Sequence, residues 1–307
     1  MRKYPGPVEL YQLRYFQAVA ECGTLRGASE QLLVSQSAVS RAITLLEAEI
    51  GVQLFTRRGR TNELNRYGQA LLVGSRLAQR SVSSAIDNVR ELAGVSGGTV
   101  ALGFLHSLGM QTVPHLIRLH HSRFPQARFE LHQRSGQGVL SDLVSGVTDV
   151  SLSFPAAFEG YGEIAWQTLF TQQLYAVVST DHPLAGRRLI RFPELAAYPF
   201  VVLDRDHTLR RIVDAACARH GIDPTPAFEG TDVGTLRGLI GANLGVGVLP
   251  QATARPADII EIAIDDAQLV RPIAIGWIAD RCLPSSAVAF RETAFGCYGH
   301  RDSAAGV

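Results

Sequence analysis

The side chains with chemistry to offer stand in two groups. In the first, Ser35-Gln36-Ser37 and Ser40-Arg41 sit at the head of a helical pattern, and Arg57, Arg58, Arg60 and Arg66 follow, interrupted only by Glu63. Glutamine and arginine carry hydrogen-bonding groups in fixed geometry, and clustered guanidiniums neutralise a polyanion. The second group lies beyond residue 100. There His106-Ser107, Ser135-Gly136-Gln137-Gly138 and the stretch from Asp204 to Thr208, with His207 inside it, each follow an apolar run and precede a helical one. A strand end meeting a helix N-terminus attracts anions, and glycines let backbone amides approach a ligand. The same residues read equally as helix caps with no ligand.

No pattern of enzyme chemistry competes with these groups. The chain contains no G-x-x-x-x-G-K-[ST], no G-x-S-x-G and no H-E-x-x-H. Gly241, Gly245 and Gly247 enter an apolar run instead of leaving one, unlike a dinucleotide loop. His120 and His121 are adjacent, so they point different ways on a helix and lack a second pair at metal spacing. Cys22, Cys217, Cys282 and Cys297 form no C-x-x-C pair, which fits a reducing cytoplasm. No catalytic residue, metal site or cofactor is expected.

The 307 residues suit about two domains at roughly 150 residues each. A net charge of +1 conceals an asymmetry: residues 1–90 hold 12 Lys and Arg against 7 Asp and Glu, while the remainder is mildly acidic. One third of the chain is therefore suited to a polyanion and two thirds are not. The longest stretch without formal charge, Leu92–Ile117, is broken by glycines, histidines and Pro114, and the first twenty residues lack a signal-peptide core. A cytoplasmic protein with no membrane partner is expected.

The elements that must position these groups follow from periodicity. Leu10, Leu13, Phe16, Val19 and Ala20 describe a first helix closed by Gly23. Thr24 caps a second with Leu25, Ala28 and Leu32 inside, and Ser35 caps a third with Val39, Ile43, Leu46 and Ile50 on one side. Two helices joined by a short turn are the helix-turn-helix pattern. Gly59, at the tip of Thr56–Thr61, predicts a small β-hairpin, or wing. Asn65 then caps a helix from Arg66 to about Ala93. In it Leu71, Ser75, Ala78, Val82, Ala85, Val89 and Leu92 recur at a mean spacing of 3.5, the seam of a coiled coil. A partner chain covering this stripe is the first reading, and a helix lying on the C-terminal domain the second. Val95-Ser96-Gly97-Gly98 reads as a linker. Beyond it βαβ succession predicts a parallel sheet with helices on its faces, with strands at Thr99–Leu105, Arg128–Gln133, Val150–Phe154, Gln173–Ser179, Phe200–Leu203, Val246–Leu249 and Ile273–Ile278.

The first sixty or so residues resemble the N-terminal module of LysR-type transcriptional regulators. The resemblance rests on Leu13-Arg14-Tyr15-Phe16-Gln17-Ala18-Val19-Ala20, Ala28, Leu32, Val34-Ser35-Gln36-Ser37-Ala38-Val39-Ser40-Arg41-Ala42-Ile43, Leu46-Glu47, Gly51-Val52-Gln53-Leu54-Phe55, Arg57 and Gly68. A looser similarity to the effector domain of that family runs through Leu102-Gly103, Pro114, Phe124-Pro125, Asp181-His182-Pro183-Leu184 and Gly245-Val246-Gly247-Val248-Leu249-Pro250. Two departures are Ser37, where the family commonly has Pro, and Asn65, where Thr is frequent.

The resemblance implies an α/β multidomain protein: a winged helix-turn-helix over residues 1–65, a dimerising linker helix over 66–94, and a two-subdomain effector domain over 95–307 like periplasmic solute-binding proteins. Subdomain I would take about 99–160 and 270–300 and subdomain II about 161–269, with crossovers near Phe154–Glu163 and Asp265–Ile273. The implied partners are double-stranded DNA at a near-palindromic promoter site, a second copy of the chain in a dimer or tetramer, and a small effector in the cleft between subdomains. In such a module Gln36, Ser37, Ser40 and Arg41 face base edges, Ser35 caps the helix beside a phosphate, and Arg57, Arg58 and Arg60 take the backbone or minor groove. Effector contacts are expected at His106, Ser107, Gln137, His207, Thr208 and Asp232, and a carboxylate is favoured because helix N-termini converge there. The competing class is a cytoplasmic small-molecule-binding or redox-sensing protein with an architectural DNA-binding module.

Overall fold

The computed structural model describes residues 8–298 apart from 60, 93–96, 206 and 253–256. The chain forms two compact units. One takes the chain up to Gly98 with the short segments Val144–Val147 and Cys282–Ser285, and the other takes Thr99–Leu143, Thr148–Arg281 and the chain from Ser286 onward.

In the first unit α1 (Leu10–Cys22), α2 (Leu25–Leu32) and α3 (Gln36–Ile50) precede a hairpin of β1 (Phe55–Arg58) and β2 (Thr61–Leu64), and α4 (Arg66–Leu92) follows. Phe16, Val19, Ala28, Val39, Leu46 and Leu54 form its core. Each of the larger side chains contributes about 1.5–3 kcal/mol by leaving water. Polar caps set the helix starts: Thr24 Oγ1 accepts from Gly27 N–H at 3.1 Å, Ser35 Oγ from Ala38 N–H at 3.2 Å, and Asn65 Oδ1 from Tyr67 and Gly68 N–H at 2.9 and 3.0 Å. Leu10 and Ile50, expected inside, are exposed because they occupy the outermost turns of their helices, beyond the neighbouring helix; Gln12 is buried instead and donates to Glu49.

The stripe on α4 divides into two halves. Leu71, Leu72 and Ala78 pack on the core of their own unit, and Ser75, 1% exposed, accepts a hydrogen bond from Gln17 Nε2 at 3.1 Å. The reading of one stripe covered by a partner chain is thus corrected for its first half, which its own unit covers. Val82, Ile86 and Val89 continue the stripe at 40%, 46% and 66% exposure. The side chain of Leu92, the end expected at Ala93, and linker residues Val95 and Ser96 lie outside the described residues.

The second unit runs β3 (Thr99–Leu105), a 3-10 turn His106–Leu108, α5 (Thr112–Arg123), β4 (Arg128–Arg134), α6 (Gly136–Val144), β5 (Val150–Ser153), α7 (Pro155–Phe158), β6 (Ile164–Ser179), β7 (Leu189–Ile190), a 3-10 segment Phe192–Ala197, β8 (Phe200–Leu203), α8 (Thr208–His220), β9 (Pro226–Gly230), α9 (Val233–Gly241), β10 (Gly247–Pro250), β11 (Ile259–Ile264), β12 (Val270–Ile278) and α10 (Ser285–Tyr298). The strand order is β4-β3-β5-β12-β6-β11-β7, with β10 also on β6 and β8-β9 paired separately. β3 is parallel to β4 and β5, as a βαβ succession demands. β6 pairs with β12 from Ile164 to Gln173 and with β10 and β11 from Leu174 to Ser179.

One continuous strand therefore carries the chain from the first lobe to the second. The crossing expected at Phe154–Glu163 lies further on, near Gln173, because Ile164–Gln172 extends β6 instead of looping. The return crossing, at Leu269–Val270, falls inside the expected Asp265–Ile273.

Gly68 supplies a test of the first unit. A Cβ there would run into the Leu54 carbonyl oxygen and crowd a Leu64 methyl, so α4 and the hairpin approach only over a bare Cα. Gly68→Ala should destabilise the module by about 1–3 kcal/mol, read as a lowered urea midpoint with unchanged slope. The small gain that Gly→Ala brings in an open helix would contradict this packing.

Candidate nucleic-acid interface and effector cleft

The start of α3 is an open polar surface on a packed scaffold. Val39, Ala42, Ile43 and Leu46 turn inward, which leaves Gln36, Ser37 and Arg41 exposed. Ser35 is the cap, and its hydroxyl also lies 3.0 Å from that of Ser37. Ser37, in the position where proline is common, thus ties itself to the capping residue. Ser40 is half-buried and lines a groove of about 200 Å³ between α3 and the hairpin, together with Arg57 and Asn62. Thr44, not singled out from the sequence, shares the open face with Ser37 and Arg41 and donates to Ser40 O at 3.0 Å. Its i+3 spacing from Arg41 was the available signal. Glu47 does not serve Arg41: its Oε1 accepts from Leu54 N–H at 2.8 Å and fastens the hairpin to α3.

The hairpin tip turns at Gly59, whose φ of +60° favours a residue without a Cβ. Arg57 and Arg58 are exposed. Arg57 Nε reaches Gly59 O at 3.4 Å, and Arg58 Nε lies 3.3 Å from Glu63 Oε2. Such an open ion pair adds little stability and yields readily to a stronger anion. Arg60 lies outside the described residues.

In the second unit Gln137 and Thr208, two of the expected strand-end residues, line one cavity. A cavity of about 550 Å³ is lined by Gln137, Phe154, Tyr161, Arg205, Thr208 and Arg211, among others. Gly136 lets the lobes approach, since a Cβ there would sit 3.1 Å from Phe154 and 3.6 Å from Thr208 Oγ1. Gln137 is exposed at the first turn of α6. Thr208 Oγ1 accepts from Arg211 Nη2 at 3.3 Å, and the Arg211 guanidinium lies over the Phe154 ring.

The other expected residues do structural work that the sequence left as the alternative. His207 caps α8, its Nδ1 accepting from Leu209 N–H at 3.3 Å. Asp232 caps α9, its Oδ2 accepting from Thr235 N–H at 2.7 Å and Thr235 Oγ1 at 3.0 Å, and these bonds hold its carboxyl below the usual range. His106 is exposed and opens a three-residue 3-10 turn; the helix expected directly after it begins only at Thr112. Ser107 accepts from Arg271 Nη1 at 2.9 Å. Sequence reasoning missed Arg205 and Arg211, which line the cavity, and Arg271 and Gln172, which stand opposite each other in the β6–β12 ladder. The signal for Arg271 was a lone cation in the apolar run Val270–Ile278. The fields of Arg271, Asp204 and His106 all reach His207, so these groups share one neighbourhood.

No disulfide joins the four cysteines, and burial pushes Cys217 up to about 11, which makes it unreactive. No helix among the described residues is long and apolar enough to cross a membrane.

Comparison with known proteins fixes the class. Residues 10–69 match the bacterial regulatory helix-turn-helix protein of the lysR family, and residues 93–295 match the LysR substrate binding domain. The chain is 34% identical over 286 residues to the uncharacterized HTH-type transcriptional regulator YybE of Bacillus subtilis strain 168, covering 93% of this chain and 97% of the relative. It is 33% identical over 288 residues to the transcriptional dual regulator GltC of the same organism, covering 93% and 96%. Full-length CbnR, crystallised with its target DNA, has the same fold, with a TM-score of 0.72 at 24% identity over 93% of this chain and 98% of that one. The chain belongs to the LysR family. It is a DNA-binding transcriptional regulator with an effector-binding domain, and the relatives it matches are regulators, not enzymes.

Two predictions follow from this geometry. Removing Arg57 or Arg58 should weaken binding on all DNA sequences alike and flatten the salt dependence, whereas Gln36→Ala or Arg41→Ala should narrow the gap between preferred and random DNA by about 1–3 kcal/mol. Salt titrations on both DNAs separate the two, and an unaltered slope for Arg58→Ala counts against the wing. The second concerns pH. Burial, with Arg271 beside it, lowers the His207 pKa, and burial lowers those of His120 and His182. Unfolded, these rings take up protons from about pH 6.5 downward; folded, they resist until lower pH. Stability should therefore fall as pH drops through about 6.5. His207→Asn keeps a cap acceptor and should flatten part of that fall in melting temperature.

Proposed function

We propose that the chain acts as an effector-controlled, sequence-specific regulator. It reads near-palindromic double-stranded DNA through two copies of α3, and a small molecule between the lobes of the second unit alters that reading. Gln36, Ser37, Ser40 and Arg41 supply the groove contacts, Ser35 caps the helix beside a phosphate, and Arg57, Arg58 and Arg60 take the backbone or the minor groove. The division is a DNA-binding module over 1–65, a linker helix over 66–94 and an effector domain over 95–307. Subdomain I is about 99–172 and 270–300 and subdomain II about 173–269, the expected boundary at 160/161 moving to the crossing inside β6. The observation that carries this reading is the coexistence in one chain of an open, capped helix start and a ligand-sized cavity between two lobes.

Delivery of α3 twice requires a second chain. Val82, Ile86 and Val89 leave half an apolar stripe in water, and a second α4 laid along it is the occupant whose pattern matches. A dimer sets two α3 helices against half-sites about one helical turn apart, and a tetramer repeats the arrangement. Effector contacts fall to Ser107, Gln137 and Thr208 around the cleft, with His106, His207 and Asp232 at its margin. A carboxylate is the favoured class. A ligand that prefers one lobe arrangement shifts the population of assemblies and so the extent and bend of the DNA site.

The test combines assembly and footprint. Ile86→Asp with Val89→Asp should dissociate the dimer in sedimentation and abolish preference for one promoter fragment over random DNA, while the melting of each unit persists. Adding a metabolite extract should change the footprint of the wild type, and Gln137→Ala with Thr208→Ala should blunt the change. Equal binding to promoter and random DNA at physiological salt would overturn the reading, and footprints identical with and without extract would remove the effector from it.

A further inference from the structure

The four cysteines stand in different surroundings, and one of these fits a nucleophile. Cys217 is buried in the core of the second lobe, which pushes its thiol up to about 11. Cys22 is exposed, and its S–H donates to Gln31 Oε1 at 2.9 Å, a partner that keeps the proton on sulfur. Cys282 is exposed as well. Cys297 is half-buried near the end of α10, and its Sγ lies 3.5 Å from His115 Nε2 on α5.

The polarity of that contact is set from behind. Arg118 Nη2 lies 3.2 Å from His115 Nδ1. A guanidinium has donors and no acceptor, so Nδ1 must offer its lone pair, and the ring proton then sits on Nε2. An N–H therefore points at the Cys297 sulfur, with a permanent cation on the far side of the ring. A thiolate is the form of sulfur that accepts from such a donor, and it is the reactive form. His115 and Arg118 are three residues apart on one helix, which keeps them side by side.

The sulfur also borders space for a reactant. Cys297, His115 and Arg118 line a cavity of about 750 Å³ together with Met110, Phe170 and Tyr298. The rings of Phe170 and Tyr298 lie 4.4 Å apart at 30°. All of these residues belong to α5, α10, the first half of β6 and the turn before α5, so the cavity lies within the first lobe, and none of them lines the cavity of Gln137 and Thr208. Aromatic and thioether walls receive a flat apolar body, and the guanidinium of Arg118 offers N–H groups to a carbonyl oxygen. Hydrogen peroxide would have no use for walls of this kind.

We propose that Cys297 is a modification site for conjugated enones, with His115 as the donor that holds the thiolate and Arg118 as the residue that positions His115. The thiol proton leaves to water. The sulfur lone pair forms a C–S bond at the β-carbon of the enone, the C=C pair shifts to leave an enolate, and water returns one proton to the α-carbon. Thiol and enone become a single thioether, and no oxidant or reductant takes part.

The probe is benzylideneacetone, an aryl enone, added to full-length protein near neutral pH, with adducts at each cysteine followed by peptide mass spectrometry. Iodoacetamide serves as an electrophile that needs no cavity. Cys297 should take up the enone at least about tenfold faster than Cys22 and Cys282, although it is less exposed than either. Benzylacetone, the saturated ketone, should slow Cys297 and leave Cys22 and Cys282 unchanged. His115→Leu should remove most of the advantage with both electrophiles, and His115→Gln, which still presents an N–H, should restore part of it. Arg118→Met should lose a smaller part. Cys217 reports on folding, since it stays unlabelled while the second unit is intact.

Equal rates at Cys297, Cys22 and Cys282 would overturn the inference. A Cys297 that outpaces them with iodoacetamide but shows neither enone preference nor protection by benzylacetone would overturn the enone class. An advantage that persists in both His115→Leu and Arg118→Met would overturn the roles given to the pair. Should His115→Leu expose Cys217 to label, the wild-type rates, the protection by benzylacetone and Arg118→Met still decide.

Discussion

The register of β6 against β12 is the constraint on which the second unit depends. β6 is sixteen residues long, and its two halves pair with different neighbours, so one strand belongs to both lobes. A slip of a single residue would turn every inward side chain outward. It would also break the opposition of Gln172 and Arg271. Loops at both crossings would let the lobes drift apart. A hydrogen-bonded ladder allows them to bend about a fixed line without unfolding either.

The first unit solves a different problem, that of presenting polar side chains rigidly from a small core. Its apolar residues are few, so caps and single hydrogen bonds carry much of the specification. Ser35 fixes where α3 begins, Glu47 fastens the hairpin strand to α3, and Asn65 starts α4 while its Nδ2 donates to Gln53 O at 2.7 Å. Phe16 meets Phe55 at 5.4 Å between ring centres, which ties the hairpin to α1. Each of these groups is engaged within the unit. Their engagement leaves Gln36, Ser37 and Arg41 exposed on a surface with little freedom to rearrange, and pre-organisation of that kind lowers the entropy lost on binding.

Most of the helical architecture was legible because its signals are local. Thr24, Ser35 and Asn65 cap the helices they were expected to cap, and Gly23 and Gly51 close theirs in the left-handed conformation. The strands Thr99–Leu105 and Phe200–Leu203 fall where the apolar pattern put them. What escaped depends on distant partners. Ile164–Gln172 has no strict alternation, and only its pairing with β12 makes it strand. Pro226–Gly230 is mostly exposed and pairs with β8 alone, and Ile259–Ile264 reads as an ambiguous short apolar run. The α4 stripe was correctly seen as a stripe, but spacing cannot tell which half meets its own chain.

The cleft residues were legible as positions and less so as roles. Sequence reasoning finds strand ends and helix starts well, so His207 and Asp232 were chosen, and both turn out to be caps. It does not see burial, so it passed over Arg271, whose meaning comes from what surrounds it. The same side chain on α8, Arg210, is almost as enclosed, yet Asp214 and Glu229 make it an ordinary structural ion pair. The difference is not residue type, depth or hydrogen-bond count but the absence of a compensating charge for Arg271 among the described residues. A counter-ion built into the protein stabilises it permanently.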